Sequence, residues 1–319
     1  MSLRRDSSRQ KDSMSDLTIG TRGSTLARVQ TEWVEGMILA RFPQIRITVK
    51  IIRTSADRDT KTSIRSGSAT GVFVREIEEA LLGGKIDLAV HSMKDLPTRI
   101  PDALEIGAIP AREDARDALI AGDGCKKLDD LPRGAVIGTG SVRRQAQVLA
   151  RRPDLAARDI RGNVETRLQK LAAGSYDAII LACAGLNRLG LQGRISAPLE
   201  FSEMLPAPGQ GALALEMRRG DERVAAVIAG LNEPATAAAV LAERAFLRRM
   251  GGGCNSPIAV HARPDNAVCT IEGLVATPDG GTIIRDAVES PIDKAAEAAD
   301  ALAEELLAMG GAEILKPLR

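Results

Sequence analysis

Three glycines precede a cysteine in Gly251-Gly252-Gly253-Cys254, directly after the strongly apolar stretch Pro234 to Met250. Residues without side chains leave a thiol open, so a bulky group could reach that sulfur or stay attached to it. Glycines also end helices, and on that reading the cysteine is incidental. A nucleophile that turns over needs a lowered thiol pKa. The partial negative charge of a helix C-terminus works against this, and Arg248 and Arg249 oppose it only weakly. A sulfur that makes one durable bond fits the setting better.

The arginines and one aspartate give that bond a context. Arg143 and Arg144 open a predicted helix behind Gly140-Ser141, with Ser141 as its N-cap. First-turn N–H groups and two guanidiniums suit a carboxylate or phosphate; a solvated basic helix face is the alternative. Arg22 stands at a strand end before a Gly-Ser turn, and Arg161 and Arg167 bracket a loop entering a helix. Arg188 follows another strand end. Four separate regions carrying arginine favour one shared anionic ligand over four coincidences. Asp95, in Ser92-Met-Lys94-Asp95-Leu-Pro97, could offset a cation that develops during reaction or move a proton. Lys94 beside it could simply pair with it. His91 reads as a hydrogen-bonded structural histidine and Cys183 as a core thiol. Cys125 falls in a charged turn and Cys269 in a strand; neither is given a function.

The elements that must position these groups alternate. Leu17 to Arg22 reads as a strand, with a helix to about Arg41, and Ile45 to Arg53 as a second strand. Asp57 to Thr70 reads as a mobile loop, Gly71 to Leu82 as an amphipathic helix, and Ile86 to Val90 as a buried strand. The pattern recurs: strand Ala135 to Thr139, helix Val142 to Arg151, buried strand Tyr176 to Ala182. Ile-Gly-Thr precedes a helix twice, which predicts two α/β domains of related plan. In such sheets ligands bind beyond the carboxyl ends of the strands. Helix Pro234 to Met250, a hairpin about Pro278-Asp-Gly-Gly281, and helix Ala295 to Met309 predict a small α+β domain carrying Cys254.

Composition narrows the partners. The chain has 319 residues, 44% hydrophobic, and 43 basic against 42 acidic side chains, so global charge is uninformative. Ser141 to Lys170 alone holds seven arginines and a lysine against Asp154, Asp159 and Glu165. That patch expects an anion. Aromatic content of 2% leaves little on which to stack bases, which argues against an RNA-binding module. The four cysteines have no zinc-type spacing, and no metal is expected. Met1 to Asp16 has no apolar leader and no run is long enough to span a bilayer, so a cytoplasmic protein is expected.

Seven stretches in order carry a resemblance. They are Ile19-Gly-Thr-Arg-Gly-Ser-Thr-Leu-Ala27, His91-Ser-Met-Lys-Asp-Leu-Pro97, Gly138-Thr-Gly-Ser-Val-Arg-Arg-Gln-Ala146, Ile160-Arg-Gly-Asn-Val-Glu-Thr-Arg167, Ala184-Gly-Leu-Asn-Arg-Leu-Gly190, Pro208-Gly-Gln-Gly-Ala212 and Gly252-Gly-Cys-Asn-Ser-Pro257. The chain resembles the hydroxymethylbilane synthase (porphobilinogen deaminase) family from about Leu17 onward. The resemblance implies head-to-tail joining of four porphobilinogen molecules, with loss of ammonia, onto a dipyrromethane cofactor held as a thioether on Cys254. It implies Asp95 as the catalytic acid. Lys94, Asp95, Thr139, Ser141, Arg143 and Arg144 are implied to hold the cofactor, and Arg22, Ser24, Ser92, Arg161, Arg167, Arg188 and Gln210 the substrate. Thr70 stands where the family commonly has lysine, and Asn255-Ser256 where it commonly has Gln-Val.

The implied fold class is α/β: two type II periplasmic-binding-protein-like, doubly wound domains plus a small C-terminal α+β domain. The expected division is a disordered extension 1–15, a first domain 16–112 with 210–230, a second 113–209, and a cofactor-carrying third 231–319. A monomer whose only partner is the small molecule porphobilinogen is expected, with neither nucleic acid nor membrane. A non-catalytic anion-binding protein of the same two-lobed plan is the rival; it leaves Cys254 and Asp95 unexplained.

Overall fold

The computed structural model describes residues 16–53, 74–122, 124–253 and 256–318. Cys254, the expected 57–70 loop, Thr70 and residues 1–15 lie outside the described residues. The first sheet contains β1 (Asp16–Thr21), β2 (Arg46–Ile51), β3 (Leu88–Ser92), β4 (Leu104–Ala108) and β10 (Leu213–Arg218), in the order β2-β1-β3-β10-β4. β1 is parallel to β2 and β3, whereas β10 runs antiparallel to β3 and β4. The second sheet repeats the plan with β5 (Asp117–Ala121), β6 (Val136–Gly138), β7 (Ala156–Arg158), β8 (Ala178–Ala182) and β9 (Ala197–Leu199), in the order β7-β6-β8-β5-β9. Here β5 is the antiparallel member. Each antiparallel strand is the one the chain enters on arriving from the other sheet, so two crossovers, 109–116 and 200–212, join the lobes.

Both faces of the inner strands are buried, which is why β3, β5 and β8 are mostly apolar, whereas β2 at the edge of the first sheet is largely exposed. Leu88 and Val90 pack with Val34 and Ile38 of α1 (Thr25–Arg41) and with Val224 and Val227 of α6 (Glu222–Ile228). Ala89 points the other way, onto Ile77 and Leu81 of α2 (Arg75–Leu82). In the second sheet Ile137 and Ile180 meet Val148 of α3 (Val142–Arg151). Ile179 and Leu181 meet Leu168 of α4 (Val164–Ala172) and Leu186 of α5 (Cys183–Arg188). The doubly wound arrangement expected for both lobes is thus present.

The third sheet is an antiparallel meander of β11 (Ile258–Asp265), β12 (Val268–Ala276) and β13 (Ile283–Pro291). It is covered by α7 (Pro234–Met250) and α8 (Ala295–Leu306), with Phe246, Met250, Leu302 and Leu306 buried on Val260, Ile271 and Val275. β11 was not foreseen: Pro264 obscures the alternation of Ile258, Val260 and Ala262, yet an edge strand tolerates it. The last helix ends at Leu306 rather than Met309. The turn that follows takes Gly310 to φ 115° before a short α9 (Ala312–Leu315). β3 also extends two residues past the predicted Val90. His91 and Ser92 pair with Ala214 and Leu213 of β10, a partner more than a hundred residues away. Among the described residues no single helix is long and apolar enough to cross a membrane. A bent pair, Glu222–Leu231 with Pro234–Met250, passes by length and composition together, and its apolar residues fill the cores above.

Candidate active site

The carboxyl ends of β1, β3 and β8 and the segments that follow β2 and β7 face one another across a cleft of about 1050 Å³. The first lobe lines it with Arg22, Arg53, Ser92, Lys94 and Asp95, and the second with Arg144, Arg161, Arg167, Lys170 and Arg188. Eight cations therefore face two acids, Asp95 and Glu165. A concave surface of one sign concentrates an anion of the other. Two helix N-termini add to this. Ser24 Oγ caps α1 by accepting the Ala27 N–H (3.3 Å), and Asn163 Oδ1 caps α4 by accepting the Thr166 N–H (2.9 Å). Gly23, Ser24, Gly162 and Asn163 all line the cleft, so first-turn donors of both helices open on it.

Backbone carbonyls hold three of the cleft cations in place. Arg188 Nη2 donates to the Gly211 carbonyl (2.8 Å), its guanidinium lying 5.9 Å from the centre of the Trp33 ring. Arg167 Nε donates to the Gly162 carbonyl (2.8 Å), and Lys170 Nζ to the Arg161 carbonyl (3.0 Å). Arg161 does pair with an acid, Asp159, at 2.7 Å. Burial lowers Arg188 to about 10, against the pull of Glu113. Burial, then the charges of Arg144 and Arg161, lower Arg167 to about 10. Both stay protonated at neutral pH. Burial likewise lowers the Lys94 ammonium, and Asp95 opposes that shift most strongly.

Asp95 closes a one-turn 3₁₀ helix, Met93–Asp95, that follows β3. Among the described residues no hydrogen bond or ion pair engages its carboxylate, although Lys94 is its neighbour. Ser92 accepts a hydrogen bond from Gln30 Nε2 (3.0 Å). Behind it His91 Nε2 and Glu216 Oε2 lie 2.9 Å apart and buried, the structural pairing expected of that histidine.

Four expected contacts sit behind the cleft wall instead of on it. Thr139 accepts the Ser141 N–H (3.2 Å), and Ser141 caps α3 through the Arg144 N–H (3.4 Å). Arg143 is 4% exposed, and its Nη1 donates to Asp117 Oδ2 (2.7 Å) and the Leu205 carbonyl (2.6 Å). Gln210 Nε2 donates to Asp117 Oδ1 (2.9 Å) and the Ala115 carbonyl (2.8 Å). Arg144 reaches the cleft, yet its Nη2 also holds Asp117 Oδ1 at 2.7 Å. Burial would raise the Asp117 carboxyl; Arg143 and Arg144 outweigh it and hold the group well below the usual carboxylate range. Arg143→Leu is therefore expected to act on stability first, removing half of a buried charge pairing. A loss on the order of 3 kcal/mol in denaturant unfolding would check this.

Arg53, Lys170 and Gln30 line the cleft and were not singled out from sequence. Arg53 follows β2 much as Arg22 follows β1, so the strand-end rule could have found it. Lys170 is one helical turn from Arg167, a spacing that shares a face. The glycines before Cys254 also have local reasons. Gly251 ends α7 at φ 67°, and a Cβ on Gly252 would lie 2.2 Å from Ile258 Cδ1. Cys183 and Cys269 are buried and Cys125 half-buried, none of them on the cleft. Burial, then Asp114 and Asp117, push the Cys183 thiol up to about 12.

Residues 17–226 match the family model described as porphobilinogen deaminase, dipyromethane cofactor binding domain, and residues 237–308 match porphobilinogen deaminase, C-terminal domain. The chain belongs to the porphobilinogen deaminase family. It is 49% identical over 306 residues to the porphobilinogen deaminase of Syntrophotalea carbinolica, covering 96% of this chain and 97% of that protein. The Thermus thermophilus relative of the same name is 46% identical, covering 95% and 99%. Among solved structures it overlaps the periplasmic aliphatic sulphonate binding protein SsuA from Escherichia coli (TM-score 0.40, 17% identity, 74% of this chain and 70% of that one). It also overlaps an ancestral arginine-binding protein bound to arginine (TM-score 0.36, 17% identity, 69% and 92%). Membership of the porphobilinogen deaminase family makes the chain a transferase acting on porphobilinogen, with dipyrromethane as its cofactor.

Proposed function

We propose that the cleft grips a growing pyrrole chain by its carboxylates while Asp95 serves the bond-forming chemistry. The observation that carries this reading is the Asp95 carboxylate set among eight cations where the two sheets meet. Each porphobilinogen unit brings an acetate and a propionate, so the ligand is a polyanion of the kind this cleft and its helix N-termini fit. The dipyrromethane, held as a thioether on Cys254, would supply the pyrrole carbon that the first unit joins, and each later unit would join the ring added before it. Arg22, Arg53, Lys94 and Ser92, with the cap of Ser24, hold carboxylates from the first lobe. Arg144, Arg161, Arg167, Lys170 and Arg188 do so from the second. Thr139, Ser141, Arg143 and Gln210 support them from behind.

Loss of ammonia from porphobilinogen leaves positive charge shared onto the pyrrole nitrogen. A carboxylate at Asp95 steadies that charge, accepts the pyrrole N–H and can pass a proton at its oxygen. The three sheets and their separate cores support reading 16–112 with 210–230, 113–209 and 231–319 as three domains. A cytoplasmic monomer is the working assignment, tested by sedimentation and fractionation.

The purified protein is expected to release one ammonia per porphobilinogen consumed and to yield a linear tetrapyrrole; consumption without ammonia release would contradict the reading. Because binding rests on charge, raising ionic strength from about 0.05 to 0.5 M should raise KM about fivefold or more while kcat changes little. Initial rates at several salt concentrations check this.

A further inference from the structure

Asp95 belongs to a turn with one internal hydrogen bond, Leu96 N–H to the Met93 carbonyl (3.1 Å). Something else must fix its direction. On one side the turn meets the second crossover: Met93 N–H donates to the Ala212 carbonyl (3.0 Å), and a Cβ on Gly209 would lie 2.6 Å from Met93 Cγ. On the other side stands Arg244 of α7, 8% exposed. Its Nη1 donates to the Leu96 carbonyl (3.1 Å) and lies 3.8 Å from Met93 Sδ; its Nη2 donates to the Pro97 carbonyl (2.6 Å).

Arg244 is an unusual cation to bury. Among the described residues no carboxylate hydrogen-bonds it; burial lowers its pKa to about 10, the like charge of Arg248 adds to that, and Glu216 opposes. Burying a guanidinium without an acid costs free energy that an apolar side chain would avoid. What the guanidinium provides in return is a planar fork that grips two successive carbonyls. Its neighbour Glu243 grips the crossover, taking Arg112 in a two-point pair (2.7 and 3.0 Å) and the Gly209 N–H (2.6 Å). Adjacent residues of one helix thus hold both sides of the Asp95 turn. Arg244 does not line the cleft, so any effect on the reaction passes through the turn.

We propose that Arg244 is a positioning residue for the reaction, fixing from the third sheet's helix the turn that aims the Asp95 carboxylate into the cleft. The inference rests on the reading of Asp95 given above. Its test compares Arg244→Met, which keeps a stem against Met93, with Arg244→Lys, which keeps a charge able to reach one carbonyl. Both are assayed as cofactor-bearing protein, alone and combined with Asp95→Ala. A displaced catalytic group costs up to about a hundredfold, so Arg244→Met is expected to lose about thirtyfold in kcat with KM within about threefold. Arg244→Lys should recover part of that loss. With Asp95→Ala already present, adding Arg244→Met should cost less than about twofold, because residues acting as a unit are non-additive. Unchanged kcat in Arg244→Met, or the same thirtyfold loss on top of Asp95→Ala, overturns the proposal. If Arg244→Met fails to fold, Arg244→Lys carries the same comparison. Full activity in Asp95→Ala alone would instead remove the reading beneath it.

Discussion

Asp95→Ala is expected to fold as the parent does and to lose about a thousandfold in kcat per cofactor-bearing molecule. The size follows from the surroundings. Eight cations line the cleft, and positive charge develops on a pyrrole held among them. Every cation that helps bind the carboxylates raises the potential where that charge must form. Asp95 and Glu165 are the only acids lining the cleft among the described residues, and Asp95 alone sits on the lobe-one turn facing it. Removing it takes away a negative charge, so substrate binding should hold or tighten while turnover collapses. A KM at or below the parent value beside the lost kcat is the signature; kcat within tenfold of the parent would sink the role.

The second large effect is on the fold. Asp117→Leu is expected to destabilise the protein by about 3–5 kcal/mol or to prevent its folding, because Arg143 and Arg144 would then be buried without a counter-charge. Asp117 begins β5 just past the first crossover, and Gln210 of the second crossover donates to it. One carboxylate therefore joins α3, β5 and both connections between the lobes. Glu243 does the same for the third sheet, accepting from Arg112, Gly209 N–H and Ala262 N–H, with His261 Nδ1 at 3.2 Å. Burial opposes its charge, but Arg112 and then His261 outweigh burial and lower it to about 2.

Both acids have folded-state pKa values below the unfolded ones, about 3.9 for Asp and 4.3 for Glu. Their contribution is complete above the unfolded values and is lost as pH falls toward the folded ones. The stability difference between the parent and Glu243→Gln should therefore be flat from pH 7 to 5 and shrink between about pH 4 and 2. Denaturant unfolding at pH 7, 5 and 3 measures it, and a difference that already shrinks between pH 7 and 5 would contradict the assignment.

The lobes were legible because most of their inner strands are bounded apolar runs and α1 and α3 begin just after small-residue turns with Ser24 and Ser141 as caps, signals that act within a few residues. The cleft was legible for a related reason: long cations stood at strand ends, and parallel strands with crossover helices gather those ends on one side. What stayed hidden depends on distant partners. β3 gains His91 and Ser92 from β10, and β11 needs β12 beside it. Arg143 and Arg144 look alike in sequence, yet consecutive helical residues point about 100° apart, so only Arg144 reaches the cleft. The acid that claims Arg143 lies 26 residues upstream, with nothing local to mark it.

The covalently primed cleft is tested most directly by the intact mass of the protein as purified, before and after limited addition of porphobilinogen. The account predicts a mass above that of the 319-residue chain by one dipyrromethane unit, further species spaced by one pyrrole unit each, and the bare chain mass for Cys254→Ser. Fully active protein with the bare chain mass would contradict it.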